Sequence, residues 1–421
     1  MPDDPAPTLA AAQARIAAVR PAAYARTRNA LDGAVSGLSP YLTHGLVSQA
    51  EVLAGVNARH PLEMQHRFVA ELGWRSFFRH VWQRRGDGIL RSLHGGVLPD
   101  DAYGDELPAD IRLACTGVPV IDQAVRTLYA TGLLHNHARL WLASYVVHVR
   151  QVHWRVGADW LYGHLLDGDL ASNHLSWQWV AATGSRKPYL FNAENVARFA
   201  PAAWHSPGTV IDTSYDALAQ LARRAPQQAA WWPATAPTPA PAPAPAALPL
   251  PSALAEPPLF ETPSRALGLS PASAATVRGR DVWLVHPWNL GALPAGLPHD
   301  TLVIGLYLAD FHQAWPWSER RWRFVNHRMA EITPLRWHAG AATLRSALAG
   351  ARSVRSVAEP HLAASLPRLA RCEAPAPLFA PVETACDSFS AWWARASRGL
   401  ATASELLAAR EALAARKVPA G

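Results

Sequence analysis

The chain has 421 residues, a net charge of +7 and 18 tryptophans. Its length accommodates two or three domains, and its cysteines, Cys115, Cys372 and Cys386, are too few and too scattered for a disulfide framework or a four-thiolate cluster. The positive balance rests on arginine, since lysine occurs only at Lys187 and Lys417; it suits a polyanionic partner, although Ala, Arg and Pro enrichment also accompanies GC-rich coding.

The N-terminus, Met-Pro-Asp-Asp-Pro, has no basic segment leading into an apolar core, and no run of about 18 apolar residues follows. The expectation is a soluble, cytoplasmic protein without a membrane partner. Residues 8–31 read as one Ala/Arg-rich helix ending near Asp32-Gly33. In Ser36-Gly37-Leu38-Ser39-Pro40, Ser39 suits an N-cap and Pro40 a first helical position. Small residues before a helix start expose backbone N–H groups, an arrangement that suits phosphate, yet most Ser-Pro helix starts bind nothing. Residues 61–85 carry an amphipathic helical pattern in which Glu71, Trp74, Arg75 and Phe78 share a face. Core packing and a Glu71–Arg75 surface pair account for that face as well as a cavity wall does. Arg79, Arg84, Arg85 and Arg91 sketch either a phosphate-facing rim or a solvated face.

Thr116-Gly117-Val118-Pro119 starts a further helix that Gly132 ends, and Leu133–Arg155 carries a long helical period with Asn136 and Arg139 on one stripe. The polar groups of that stripe need partners, and Asp167 or Asp169 would supply one for Arg139. The histidines between 135 and 174 lack metal-site spacing and read as capping and surface residues. In Asp167-Gly168-Asp169-Leu170-Ala171-Ser172-Asn173-His174-Leu175-Ser176-Trp177-Gln178-Trp179, a helix would place Asp169, Asn173 and Trp177 on one face and Trp179 roughly opposite. Asp and Asn on an apolar seam are costly unless partnered. Residues 233–258 hold ten prolines and read as an extended linker. Beyond it, 281–286, 301–306 and 354–357 read as short strands and 322–329 begins a helix, in β-β-α-β order; 405–417 reads as a terminal helix. The expected organisation is mainly α: an N-terminal segment 1–20, a helical domain 21–225, a Pro/Ala-rich linker 230–262 and a small α/β domain 275–421.

Taken together, Ser36-Gly37-Leu38-Ser39-Pro40, Glu71-x-x-Trp74-Arg75-x-Phe77, Thr116-Gly117-x-Pro119-x-x-Asp122, His135-Asn136-x-x-Arg139 and Asp167-Gly168-Asp169-x-Ala171-x-Asn173-x-x-x-Trp177-Gln178-Trp179 resemble, in order, the FAD-binding helical domain of the DNA photolyase/cryptochrome family. The resemblance covers about Tyr24 to Phe199. It implies an FAD site formed by Tyr24, Ser36, Gly37, Leu38, Ser39, Arg75, Arg139, Asp167, Asp169 and Asn173, with Arg26 or Arg28 as looser candidates and Asn173 at flavin N5. It implies a lesion pocket of Glu71, Trp74, Asn136 and Trp179, and an electron path through Trp177 and Trp154. The implied activity is light-driven repair of cyclobutane pyrimidine dimers in DNA, single- or double-stranded, by electron transfer from reduced FAD. A cryptochrome-like light sensor, or a non-repairing FAD-binding protein of the same fold, is the alternative. The outermost tryptophan of the family path has no counterpart in 97–115, where Tyr103, or a route through Trp141 or Trp160, would substitute. His137, Leu140, Leu133 and Ser76 replace residues usual in the family. In the family an α/β antenna domain usually comes first, whereas here the flavin motifs begin near residue 24; the 275–421 segment faintly resembles that domain. A second, antenna chromophore and protein partners stay open.

Overall fold

A computed structural model describes residues 5–224 and 254–415. The helical part comprises α1 (Leu9–Ala18), α2 (Pro21–Thr27), α3 (Ser39–Thr43), α4 (Gln49–Asn57), α5 (Arg67–Arg85), α6 (Ala109–Arg112), α7 (Pro119–Thr131), α8 (Asn136–Ser144), α9 (Trp154–His164), α10 (Leu170–Ala181), α11 (Ala193–Phe199) and α12 (Tyr215–Ala222). The expected 8–31 helix is two helices. Pro21 disfavours helical backbone at Arg20, which sits at φ −116°, ψ 89°. Nor is α1 a separate segment: Ala12 and Ile16 are buried in the main core, and Ile16 lies against Gly55 of α4. The long helix expected over 133–155 is also divided. After α8 the backbone widens into a π-turn (Tyr145–Val149), and Gln151 takes φ +52°. Val152 then pairs with Gly104, and His153 caps α9 by accepting from the Arg155 N–H.

The part after residue 253 contains β1 (Leu259–Phe260), β2 (Asp281–Val285), β3 (Leu302–Leu308), β4 (Trp317–Ser318), β5 (Arg336–Ala339), β6 (Ser353–Val357) and β7 (Arg371–Glu373). Five of these form a parallel sheet in the order β5-β3-β2-β6-β7, and β1 pairs antiparallel with β4. The sheet therefore grows from β2 outward in both directions, and the order reverses between β2 and β6. β5 and β7, which hydropathy did not reveal, complete the edges. The terminal helix runs Ala403–Ala415; residues 416–421, the end of the expected helix, lie outside the described residues.

Most of the expected linker, 230–253, also lies outside the described residues. Its last stretch is packed: Leu254 N–H donates to Leu113 O (2.9 Å), and Glu256 accepts from Arg112 (3.1 Å) and Trp160 Nε1 (2.9 Å). The sheet and α1–α5 share one apolar core, in which Tyr41 meets Phe324 edge-on at 6.2 Å. A second core is internal to the helical part, around Trp141, Trp154 and Trp177.

Polar anchors cross the junction. His44 bridges Pro287 O (2.6 Å) and Leu166 O (2.8 Å). Arg321, fully buried, donates to Tyr162 O (3.2 Å) and Gly168 O (2.6 Å), with its guanidinium 4.0 Å from the Trp317 ring centroid. Hydrogen bonds from a charged donor to buried carbonyls contribute more than neutral ones, and losing the donor leaves those carbonyls unsatisfied. Arg321→Met is expected to lower unfolding free energy by about 2–4 kcal/mol in denaturant titrations. Removing the exposed Arg323–Glu319 pair, by Arg323→Met, should leave the midpoint nearly unchanged.

Candidate functional site

A cavity of about 380 Å³ opens among the N-terminal turns, α5, α8 and α10; the volume is in the range of about 300–1,000 Å³ usual for small-molecule sites. Asp169, Asn173 and Trp177 line it together. Asp169 is the N-cap of α10 rather than its first residue, and its carboxylate accepts from the N–H (2.9 Å) and hydroxyl (3.0 Å) of Ser172. Asn173 is oriented by its amide donating to Ala158 O at 2.8 Å. Trp177 rests on Gly157 of α9, where even a Cβ would approach the indole to 2.3 Å.

The two acids flanking Gly168 are ionised by separate arginines. Arg139 Nη2 donates to both oxygens of Asp167 (2.9 and 2.8 Å). Ser39 also favours the charged form of that carboxylate. Burial pushes Asp167 up, and Arg139 with Ser39 more than offsets it, so the net shift is downward. Asp169, almost completely buried, pairs with Arg79 at 2.7 Å. Burial again opposes ionisation there, and Arg79, His361 and Arg75 hold the carboxyl well below the usual range.

On the solvent side the cavity is lined by exposed Asn136 and half-buried Glu71 and Trp74. Glu71 pairs with Arg28 at 2.9 Å, not with Arg75, which turns inward to donate to Thr43 Oγ1 (2.7 Å). Burial raises the Glu71 pKa, with Arg28 and Arg67 opposing. The Trp74 ring stacks on Phe389 at 4.1 Å and 8°. Tyr24, Arg28, Ser36, Gly37 and Ser39 complete the lining, with Gly37 at φ +62° beside the Arg15 guanidinium.

Several expected positions differ. Leu38 is buried in the core and does not line the cavity; it is the N-cap of the five-residue α3, so Ser39 stands one position inside the helix. Trp179 also lies off the cavity: it is 41% exposed and tilts against Tyr189 at 5.5 Å. Arg79, Arg84 and Arg85 form no phosphate rim, being tied to Glu359, Glu383 and Asp387 of the C-terminal part. Trp154 is buried away from the cavity, with Nε1 on Ser92 Oγ (2.9 Å), and its neighbour His153 (5.6 Å) meets Tyr103 at 6.2 Å. Trp141 and Trp160 instead face Phe191 and Tyr129. Of the histidines between 135 and 174, His135 and His153 do cap helices, but His137, His148, His164 and His174 are buried rather than superficial. Among the described residues no group of three His, Cys, Asp or Glu is placed to hold a metal. The sequence reading missed Arg79 as the partner of Asp169; the available signal was its position four residues after Arg75 on the same helical face.

Residues 68–224 match the family model described as the FAD-binding domain of DNA photolyase. The chain is 39% identical over 155 residues to a deoxyribodipyrimidine photo-lyase of Streptomyces griseus, covering 36% of this chain and 33% of that one. It is 32% identical over 167 residues to the deoxyribodipyrimidine photo-lyase of Escherichia coli, covering 37% and 35%. It is 33% identical over 171 residues to a cryptochrome DASH of Synechocystis, covering 38% and 35%. It thus spans about a third of the length of these curated relatives. Over this helical region the chain is similar to the FAD-binding domain of the DNA photolyase/cryptochrome family.

The lining chemistry fits FAD. A dinucleotide needs donors for its pyrophosphate and an apolar slot with a few polar edges for its ring. Arg15, Arg28 and the Ser36-Gly37 turn present donors, while Leu161, Trp177 and Val180 with Asn173 present such a slot.

Two outcomes follow from the packing and charge of this site. Gly157→Ala should displace Trp177 and cost about 1–3 kcal/mol, the usual range for overpacking, with a shifted tryptophan emission; both are read in a fluorescence-monitored unfolding titration. Glu359, paired with Arg79 at 2.6 Å, is held at about 2 by Arg79 and His361 against the effect of burial, below its ordinary 4.5. A depressed folded pKa stabilises the protein above the unfolded value and loses that contribution as pH falls through the folded one. Stability should therefore decline from pH ~4.5 toward pH ~2, more shallowly in Glu359→Gln.

Proposed function

We propose that the chain binds FAD in this cavity and uses it to split cyclobutane pyrimidine dimers in DNA under light. The observation that carries the reading is that one cavity joins buried Asp169, Asn173 and Trp177 to the more exposed Glu71, Trp74 and Asn136. A lesion flipped out of the stack needs aromatic surface and hydrogen-bonding edges, which the second group offers. When bound, reduced FAD supplies the photoexcited electron. Arg28, Arg15 and the Ser36-Gly37 turn would hold the pyrophosphate, and Arg139, kept in place by Asp167, would contact the ring system. Asn173, fixed through Ala158, would offer its carboxamide to the ring. Trp177 and Trp154 would provide the inner route for reducing equivalents, with Tyr103, linked to Trp154 through the His153 ring, as the outer residue. Glu71, held by Arg28, and Asn136 would meet the dimer's carbonyl and imide edges. Named relatives include photo-lyases acting, by that name, on deoxyribodipyrimidine, which supports a DNA substrate.

One observation favours the sensor reading: Trp179, assigned to the lesion pocket, faces outward, which leaves Trp74 the aromatic there. Irradiation of reduced, FAD-loaded protein with dimer-containing oligonucleotides separates the two. Repair predicts recovery of thymine absorbance near 260 nm, in single-stranded or duplex substrate or both. Trp74→Ala should weaken lesion binding by about 5- to 150-fold, from a stacking contribution of ~1–3 kcal/mol; Trp177→Phe should slow photoreduction and leave lesion binding intact. No light-dependent recovery with either substrate would leave the sensor reading.

A further inference from the structure

In an open parallel sheet, ligands bind outside the carboxyl ends of the strands where the strand order reverses. Here that point lies between β2 and β6, beside His286-Pro287-Trp288 and Glu359-Pro360-His361. Side chains of α5 reach into it. Arg79 Nη1 meets Glu359 at 2.6 Å, and the Trp82 ring stands edge-on to His361 at 4.8 Å. Trp288 stacks on the other side of His361 at 4.4 Å and 14°. The crevice is filled from the helical part.

The same side chains continue to the cavity. The second arm of the Arg79 guanidinium meets Asp169 at 2.7 Å, so one cation spans a switch-point acid and a cavity-wall acid. His361 Nδ1 donates to Glu359 Oε1 at 2.5 Å, and its Nε2 accepts from the Leu170 N–H at 3.3 Å. Leu170 is the first residue of α10, whose opening N–H groups have no partner within the helix. The segment after β6 thus satisfies one N–H at the start of the helix that carries Asn173 and Trp177, beside its N-cap Asp169.

We propose that the α/β domain is a positioning element for the flavin site: Glu359 and His361 fix Arg79 on Asp169 and satisfy the Leu170 N–H at the start of α10, and so set both the charge beside the cofactor and the seat of the helix that faces it. Glu359 and His361 are positioning residues; they act through Arg79, Asp169 and Leu170. The proposal rests on the FAD reading above.

Reduction adds negative charge to a flavin. Removing the buried carboxylate of Glu359 leaves Arg79 opposed by Asp169 alone, which favours the reduced form. The test is redox titration of the FAD-loaded full chain. Glu359→Gln should raise the midpoint potential, by about 30 mV for a tenfold change in a two-electron equilibrium, and Glu359→Asp should return it toward wild type. Val325→Ala, a core change away from the network, should lower the unfolding temperature without moving the potential. In the flavin-free chain, His361→Phe should speed amide exchange at Leu170 and the following turn about tenfold while distant helices keep their protection. That second readout stands if Glu359→Gln does not fold. Wild-type potentials in the Glu359 variants together with unchanged exchange in His361→Phe would overturn the proposal alone. A wild-type chain that takes up no FAD would overturn the cofactor reading and the proposal with it.

Discussion

Three consecutive residues, Asp167, Gly168 and Asp169, hold the structure together electrostatically. Two buried carboxylates separated by one glycine repel each other and have lost their water, so each needs its own cation. Arg139 from α8 serves Asp167 and Arg79 from α5 serves Asp169, while Arg321 binds the carbonyl of the glycine between them. The glycine is required by that crowding: a Cβ there would lie 2.5 Å from the Arg321 guanidinium and 2.8 Å from Tyr162 O. Three elements distant in the chain converge on one turn. Removing any one arginine would leave a buried acid or carbonyl unsatisfied, which costs more than the pair itself gains.

This convergence explains why the two halves do not behave as beads on a linker. Arg321 belongs to the helix Glu319–Ile332, which packs beneath the sheet, yet its partners lie at the C-terminus of α9 and the entry to α10. His44, Arg79 and Arg321 each have a partner in the opposite half. Burial lowers the His44 pKa to about 3, and the neutral ring, set between the Pro287 and Leu166 carbonyls, donates to one of them. Such directional contacts fix orientation more sharply than the shared apolar core, which tolerates sliding.

Much of the helical part was legible because its signals are local. Caps, prolines and the i, i+4 spacing of Asp169, Asn173 and Trp177 need no knowledge of the rest of the chain, and the motif order led to the photolyase resemblance. The errors have physical causes too. Periodicity ran straight through Val19–Pro21 and Gln151 because a single break leaves the flanking pattern intact. The strands Arg336–Ala339 and Arg371–Glu373 are short and rich in charge, so no apolar run announces them. Glu359 stands 280 residues from Arg79, and nothing around Glu359-Pro360-His361 marks it as a partner. Arg79 itself could be read as solvated, because a helix face does not disclose what covers it.

The two indoles of α10 show how the fold divides its labour. Trp177 is locked against Gly157, whereas Trp179, two residues on and about 200° around the helix, meets Tyr189 and solvent. The C-terminal part touches the cavity at two places of different character. At Asp169 the influence is charge, which acts over several ångströms in a low dielectric and reaches the whole cavity. At Trp74 it is the Phe389 stack, a contact effect that ends with the ring it touches. One domain can therefore govern the cofactor end through electrostatics and the solvent end through packing. Because the contacts arise from separate segments, Glu359–His361 and the helix Phe389–Ala396, the two ends can vary independently in sequence while the cavity between them is preserved.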